Sequence, residues 1–118
     1  MVDAKALVDI KKTQLAKCLE HRSEFQAVLD NQKLGIALQT LGMTPIYGVR
    51  EPIEAGTCGW YVWCGPYAPD ADFFQPLHVS HLAHRLPIIL PYLGLAVGHK
   101  FIIDESGYED VWFEEQDK

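Results

Sequence analysis

The chain has 118 residues, of which 48% are hydrophobic and 22% charged, with a formal net charge of −6. That length suits one domain around a single core, and the composition excludes the low-hydrophobicity signature of disorder. Bases are outnumbered, and they form no stripe interleaved with aromatics, which argues against a nucleic-acid partner that would need its phosphates neutralised.

The opening residues, MVDAKALVDIKK, lack the apolar stretch and small-residue cleavage site of a signal peptide. The longest apolar stretch, residues 86 to 97, contains two prolines and is too short to span a bilayer core of about 30 Å as a helix. A soluble, cytoplasmic protein without membrane attachment is therefore expected. Cys18, Cys58 and Cys64 form an odd set without CxxC spacing, read as thiols in small, buried or half-buried positions.

From Asp3 to Asn31, Leu7, Ile10, Leu15, Leu19, Phe25, Val28 and Leu29 recur mostly three or four residues apart. This spacing predicts one long amphipathic helix or two short ones, capped at Asp3 and ending near Asn31 to Gly35. A further short helical piece is expected from Lys33 to Leu41. After Thr44 and Pro45, IYGVRE reads as a first strand and EPIEAG as an irregular link.

The clearest strand is GTCGWYVWCG: Cys58, Trp60, Val62 and Cys64 point one way, and Tyr61 and Trp63 the other. Cys58 and Cys64 then share a face about 20 Å apart at roughly 3.3 Å per residue, too far to bridge. Residues 65 to 72, GPYAPDAD, read as an exposed loop available to a partner. LHVSHLAHRL shows helical spacing and LPIILPYLGL opens on Pro87, predicting two short helices packed on the sheet.

KFIID and YEDVWFEE read as a hairpin turning at Glu105, Ser106 and Gly107, with Gly107 at positive φ. Val111 and Phe113 take one face of the last strand; Asp110, Trp112 and Glu114 take the other. The fold expected is α+β: a small antiparallel sheet of about four strands, with an N-terminal helix and short central helices packed mainly on one face. Residues 1–118 are read as one domain, helical over 1–42 and sheet-containing over 43–115.

Residues 104 to 118 concentrate seven acids, Asp104, Glu105, Glu109, Asp110, Glu114, Glu115 and Asp117, against Lys118 alone. Such a patch attracts a basic partner. Trp112 beside Asp110 and Glu114 adds an aromatic anchor next to charge, a combination found at interface hot spots. The expected partner-binding residues are Asp104, Glu105, Tyr108, Glu109, Asp110, Trp112 and Glu114. Reversing charge at Asp104, Glu109 and Asp110 together is expected to abolish binding and leave stability nearly unchanged.

His78, His81 and His84 invite a metal reading, yet three histidines stepping by three around one helix converge poorly, and HExxH is absent. No GxSxG, oriented Cys/His pair or phosphate-cradling glycine loop is present, so no catalytic residue, cofactor or metal is assigned. The alternative reading is a small metal- or ligand-binding enzyme-like domain using His78 and His81 with nearby acids. A homodimerisation module is a third, and monomer or homodimer is undetermined.

The ordered set GWY at residues 59 to 61, PLH at 76 to 78, LPYLGL at 90 to 95 of the helical turn and GYEDVWF at 107 to 113 resembles the Immunity protein 33 family of bacterial polymorphic-toxin systems. The resemblance covers roughly residues 43 to 115. It implies a small cytoplasmic protein that binds and neutralises a cognate toxin, with no catalytic residue to carry over. Occlusion of the toxin active site by the acidic surface of the C-terminal hairpin, with the loop from Gly65 to Asp72 as a second contact, is the mechanism expected.

Overall fold

The computed structural model describes residues 4–54 and 56–115. In chain order the elements are α1 (Ala4–Glu20), β1 (Lys33–Ile36), a 3-10 turn (Leu38–Thr40), β2 (Ile46–Arg50), β3 (Thr57–Cys64) and β4 (Gln75–His78). A 3-10 turn (Val79–His81), α2 (Leu82–Arg85), a longer 3-10 segment (Pro87–Tyr92), β5 (His99–Ile103) and β6 (Glu109–Phe113) complete the chain. The expected α+β class holds. The sheet, however, has six strands in the order β4-β1-β3-β2-β5-β6, and it is mixed because β1 runs parallel to β3.

Both additional strands lie where helix was expected. KLGI, placed in a helical piece over 33–41, pairs with β3 on one side and β4 on the other; only Leu38–Thr40 turns helically. Leu77 and His78, expected to open a helix, are strand residues paired with Leu34 and Lys33. Four-residue strands are too short to show a period of two, so pairing decides them. The other strands stand as expected, including the alternation of β3, where Cys58, Trp60, Val62 and Cys64 are buried and Tyr61 is exposed. All three cysteines are buried free thiols.

Helix α1 ends at Glu20 rather than near Asn31. The Ser23 N–H donates to the Cys18 carbonyl at 2.8 Å and the Arg22 N–H to the Leu19 carbonyl at 3.3 Å, the closing pattern of a Schellman motif. Arg22 takes the left-handed position at φ 56° that glycine usually fills. The following segment docks on residues 94–97: Phe25 bridges to Leu95, and the Gln26 side chain accepts from the Val97 N–H at 2.7 Å. The expected cap at Asp3 lies outside the described residues.

The helix is also rotated relative to the leucine pattern. Gln14 and Cys18 are buried, whereas Leu19 is 83% exposed and Leu15 is exposed too. Specific bonds fix that rotation, with the Gln14 amide donating to the Leu90 carbonyl at 3.0 Å and the Cys18 thiol to the Gly94 carbonyl at 3.3 Å. The face offered to the sheet carries Gln14, Lys17, Cys18 and His21.

Between the sheet and this helical layer lies the core, with Trp60, Leu34, Ile36, Leu82, Ile89, Leu93, Leu95, Phe101 and Ile103 fully or almost fully buried. Each such side chain contributes about 1.5–3 kcal/mol of apolar burial. Gly48 admits the Phe101 ring, since a Cβ there would sit 2.2 Å from it. Arg50 is fully buried without a carboxylate partner among the described residues; Nε donates to the Cys58 carbonyl, and one terminal nitrogen to the carbonyls of Gln26, Leu93 and Leu95. Burial pulls its pKa below the ordinary value. The guanidinium lies over the Trp60 ring at 5.7 Å and ties β2 to the loop after the 3-10 segment.

The helical layer covers one face of the sheet. Register places Tyr47, Val49, Tyr61, Trp63, Lys100, Ile102, Asp110 and Trp112 on the opposite face. No helix of the described residues is long and apolar enough to cross a membrane.

Candidate functional site

Two features dominate the surface: the C-terminal hairpin with its acids, and the aromatic face of the central strands beside it. In the hairpin, β6 pairs with β5 through His99↔Phe113, Phe101↔Val111 and Ile103↔Glu109. This register sets Glu109, Val111 and Phe113 toward the helical layer, and Asp110 and Trp112 toward the uncovered face. Phe113 lies at the strand end and is 58% exposed, its ring 5.3 Å from that of His99.

The acids of the hairpin are not equivalent. Asp104 Oδ1 accepts from the Ser106 N–H at 2.8 Å, the Ser106 hydroxyl at 2.7 Å and the Tyr108 N–H at 3.0 Å. These bonds, led by that of the Ser106 hydroxyl, hold its carboxyl below the ordinary value. Gly107 completes the turn at φ 102°, as expected. Asp104 shapes the hairpin tip and holds Glu105 and Tyr108 outward, Tyr108 being 52% exposed.

Glu109 faces its own protein. One carboxylate oxygen accepts from the Lys17 ammonium and from the Tyr92 hydroxyl; the other lies 3.2 Å from His21 Nε2. Lys17 and His21 also reach Glu20, at 3.3 and 2.9 Å. Burial opposes ionisation of Glu109, but the bonds from Lys17 and Tyr92 prevail and lower its pKa to about 2. Burial and the same hydrogen bond push the Tyr92 hydroxyl up to about 12. Lys17 stays charged against its own burial because Glu109 and Tyr92 face it. This network fastens the outer strand β6 to α1.

The expected triple reversal at Asp104, Glu109 and Asp110 therefore cannot leave stability untouched, since two of the three hold the hairpin in place. Glu114 pairs with Lys100 across the uncovered face. Glu105 and Asp110 are exposed and make no ion pair among the described residues. Trp112 is half-buried opposite Lys100.

The second feature is an aromatic cluster; the sequence reading marked the exposed 65–72 loop and the outward Tyr61 and Trp63 but did not bring them together with Tyr47 and Phe74. Tyr47 and Trp63 are cross-strand partners stacked at 5.1 Å and 11°. The 65–74 segment folds over them: Tyr67 meets Trp63 edge-on at 5.5 Å, and Phe74 meets Tyr61 at 5.2 Å and Trp63 at 5.9 Å. Tyr67 is 59% exposed. The alternation of β3 already carried the signal, because large aromatics opposite a buried face must stand on an outer one.

The histidine run divides among three elements: His78 ends β4, His81 ends a 3-10 turn and His84 lies in α2. The rings of His78 and His81 meet edge-on at 5.8 Å. The ligand-type side chains that converge among the described residues are instead Glu20, His21 and Glu109, with donor atoms within 4.8 Å of one another. The Lys17 ammonium already pairs with both carboxylates of that cluster.

Comparison with known families matches the Imm33-like domain over residues 13–114. The match takes in the end of α1 from residue 13 onward, which the motifs from residue 43 onward had not reached. No curated protein and no solved structure gives a significant match. With nearly the whole described fold inside the matched region, the chain belongs to the Imm33-like family.

Proposed function

We propose that this protein is an immunity protein that binds a bacterial toxin in the cytoplasm and neutralises it by covering the toxin's active site. Membership of the Imm33-like family is the observation that carries the reading. The surface offers a means: exposed Glu105 and Asp110 stand near half-buried Trp112 and exposed Tyr108, on a hairpin anchored through Glu109. Carboxylates beside aromatic anchors suit a basic protein surface, and a toxin that acts on nucleic acid presents cations of that kind.

Of the seven residues expected at the interface, Glu105, Tyr108, Asp110 and Trp112 make the contact in this reading. Asp104 and Glu109 hold the hairpin in shape, and Glu114 lies at the rim with Lys100. The test is co-expression with the toxin encoded by the adjacent gene. Growth rescue and a complex on size-exclusion chromatography, weakening as salt rises, are expected. Absence of both rescue and complex formation would overturn the proposal.

A further inference from the structure

At the β2–β3 end of the uncovered face, Thr44, Pro45, Tyr47, Trp63, Gly65, Pro66 and Tyr67 line an open cleft of about 470 Å³. A second hollow adjoins it, lined by Gly42, Met43, Thr44, Ile46, Asp104, Glu105 and Ser106, about 350 Å³ in volume. Thr44 borders both. The two hollows, one aromatic and one whose charged groups are both carboxylates, thus share the wall that Thr44 forms.

We infer that this composite slot receives an arginine side chain from a protruding loop of the partner protein. Aromatic faces carry negative quadrupole potential, so the stacked Tyr47–Trp63 pair and Tyr67 attract a cation lying on them. A guanidinium fits better than an ammonium because it is planar, weakly hydrated and able to stack while its N–H groups reach a carboxylate. Glu105 supplies that carboxylate without forfeiting an internal ion pair among the described residues. A nucleic acid or an anionic lipid surface would meet the same acids as like charge.

The walls are held before the ligand arrives. The Gly65 N–H donates to the Pro45 carbonyl at 2.8 Å, joining the two sides of the cleft, and Tyr67 packs on Phe73 and Phe74. Asp104 fixes the turn that presents Glu105. Little order remains to be imposed on binding, which favours even a single-side-chain contact.

The partner's identity as a toxin rests on the immunity reading, but the chemistry of the slot can be tested without a toxin. The probe is acetyl-Gly-Arg-Gly-amide, titrated into isotopically labelled protein and followed by NMR, against the same peptide carrying neutral, isosteric citrulline. Saturable shifts are expected at the Trp63 indole and at the amides of residues 44 to 47, 65 to 67 and 104 to 106. The Trp60 indole, buried and donating to the Leu93 carbonyl, should stay still.

Citrulline should bind at least about threefold more weakly, and Tyr67→Ala or Glu105→Gln should each weaken the arginine peptide by a similar factor. Glu105 is exposed, so Glu105→Gln should keep the wild-type spectrum elsewhere, whereas Tyr67→Ala should also shift its packing neighbours Trp63, Phe73 and Phe74 and leave the rest of the spectrum unchanged. Equal shifts with citrulline, shifts centred elsewhere, or none at all would overturn the slot. Growth rescue without any arginine-specific shift overturns the slot alone; an arginine-specific shift in a protein that neither rescues growth nor forms a complex supports the slot and overturns the immunity reading.

Discussion

Replacing Glu109 by Gln keeps the shape of the side chain and removes the charge that Lys17, His21 and Tyr92 converge upon. The carboxyl's pKa falls from an ordinary 4.5 to about 2 in the folded protein. At about 1.4 kcal/mol per pH unit that drop corresponds to roughly 3 kcal/mol. Solvent reaches a side chain that is 25% exposed, and its screening reduces the expected loss at pH 7 to about 1–2 kcal/mol. Because the folded-state pKa is depressed, the contribution is fully present above the unfolded value of 4.5 and fades as pH falls through about 2. Urea denaturation of wild type and Glu109→Gln across the acid range reads the difference directly, and carboxylates common to both proteins cancel. The gap should be nearly full at pH 5 and fall by about half near pH 3. A gap that does not change over that range would refute the assignment of Glu109 as an ionised anchor, and a negligible gap at pH 7 would refute its structural role.

Three further outcomes follow from the geometry. Glu105→Lys with Asp110→Lys should abolish toxin binding in a pull-down while the unfolding free energy from urea denaturation changes by less than about 0.5 kcal/mol, since both side chains are exposed; binding that survives would move the interface off the hairpin. Arg22→Gly should stabilise the protein by about 0.5–1 kcal/mol in the same denaturation assay, because glycine relieves the left-handed backbone at the end of α1. Gly48→Ala should cost about 1–3 kcal/mol, as the added Cβ meets the Phe101 ring and forces it from its place over Trp60; unchanged stability would show that the ring shifts freely.

The resemblance read from GWY, PLH, LPYLGL and GYEDVWF reached the family that the match over residues 13–114 shows. The fold was legible wherever a pattern ran long enough to repeat. Eight residues of β3 show the period of two plainly, and that alternation alone assigns Cys58, Trp60, Val62 and Cys64 to the core. The turn at Gly107 needed only local backbone freedom. KLGI and QPLH, four residues each, became strands because β3 lies beside one and the first then pairs with the second. Leu15 and Leu19 misled because helical spacing defines a stripe but not which stripe meets the sheet; bonds from Gln14 to Leu90 and from Cys18 to Gly94 made that choice.

The candidate site divides in the same way. Composition alone determined that the closing residues carry an excess of negative charge and that aromatics accompany them. Only the tertiary structure decided that Glu109 turns inward to Lys17, Asp104 closes a turn, Glu105 and Asp110 remain at the surface, and Tyr47, Trp63 and Tyr67 assemble beside the acidic notch. A carboxylate has the same charge wherever it occurs, but its role depends on the dipoles and cations within a few ångströms, and those arrive from residues as far as 92 positions away along the chain.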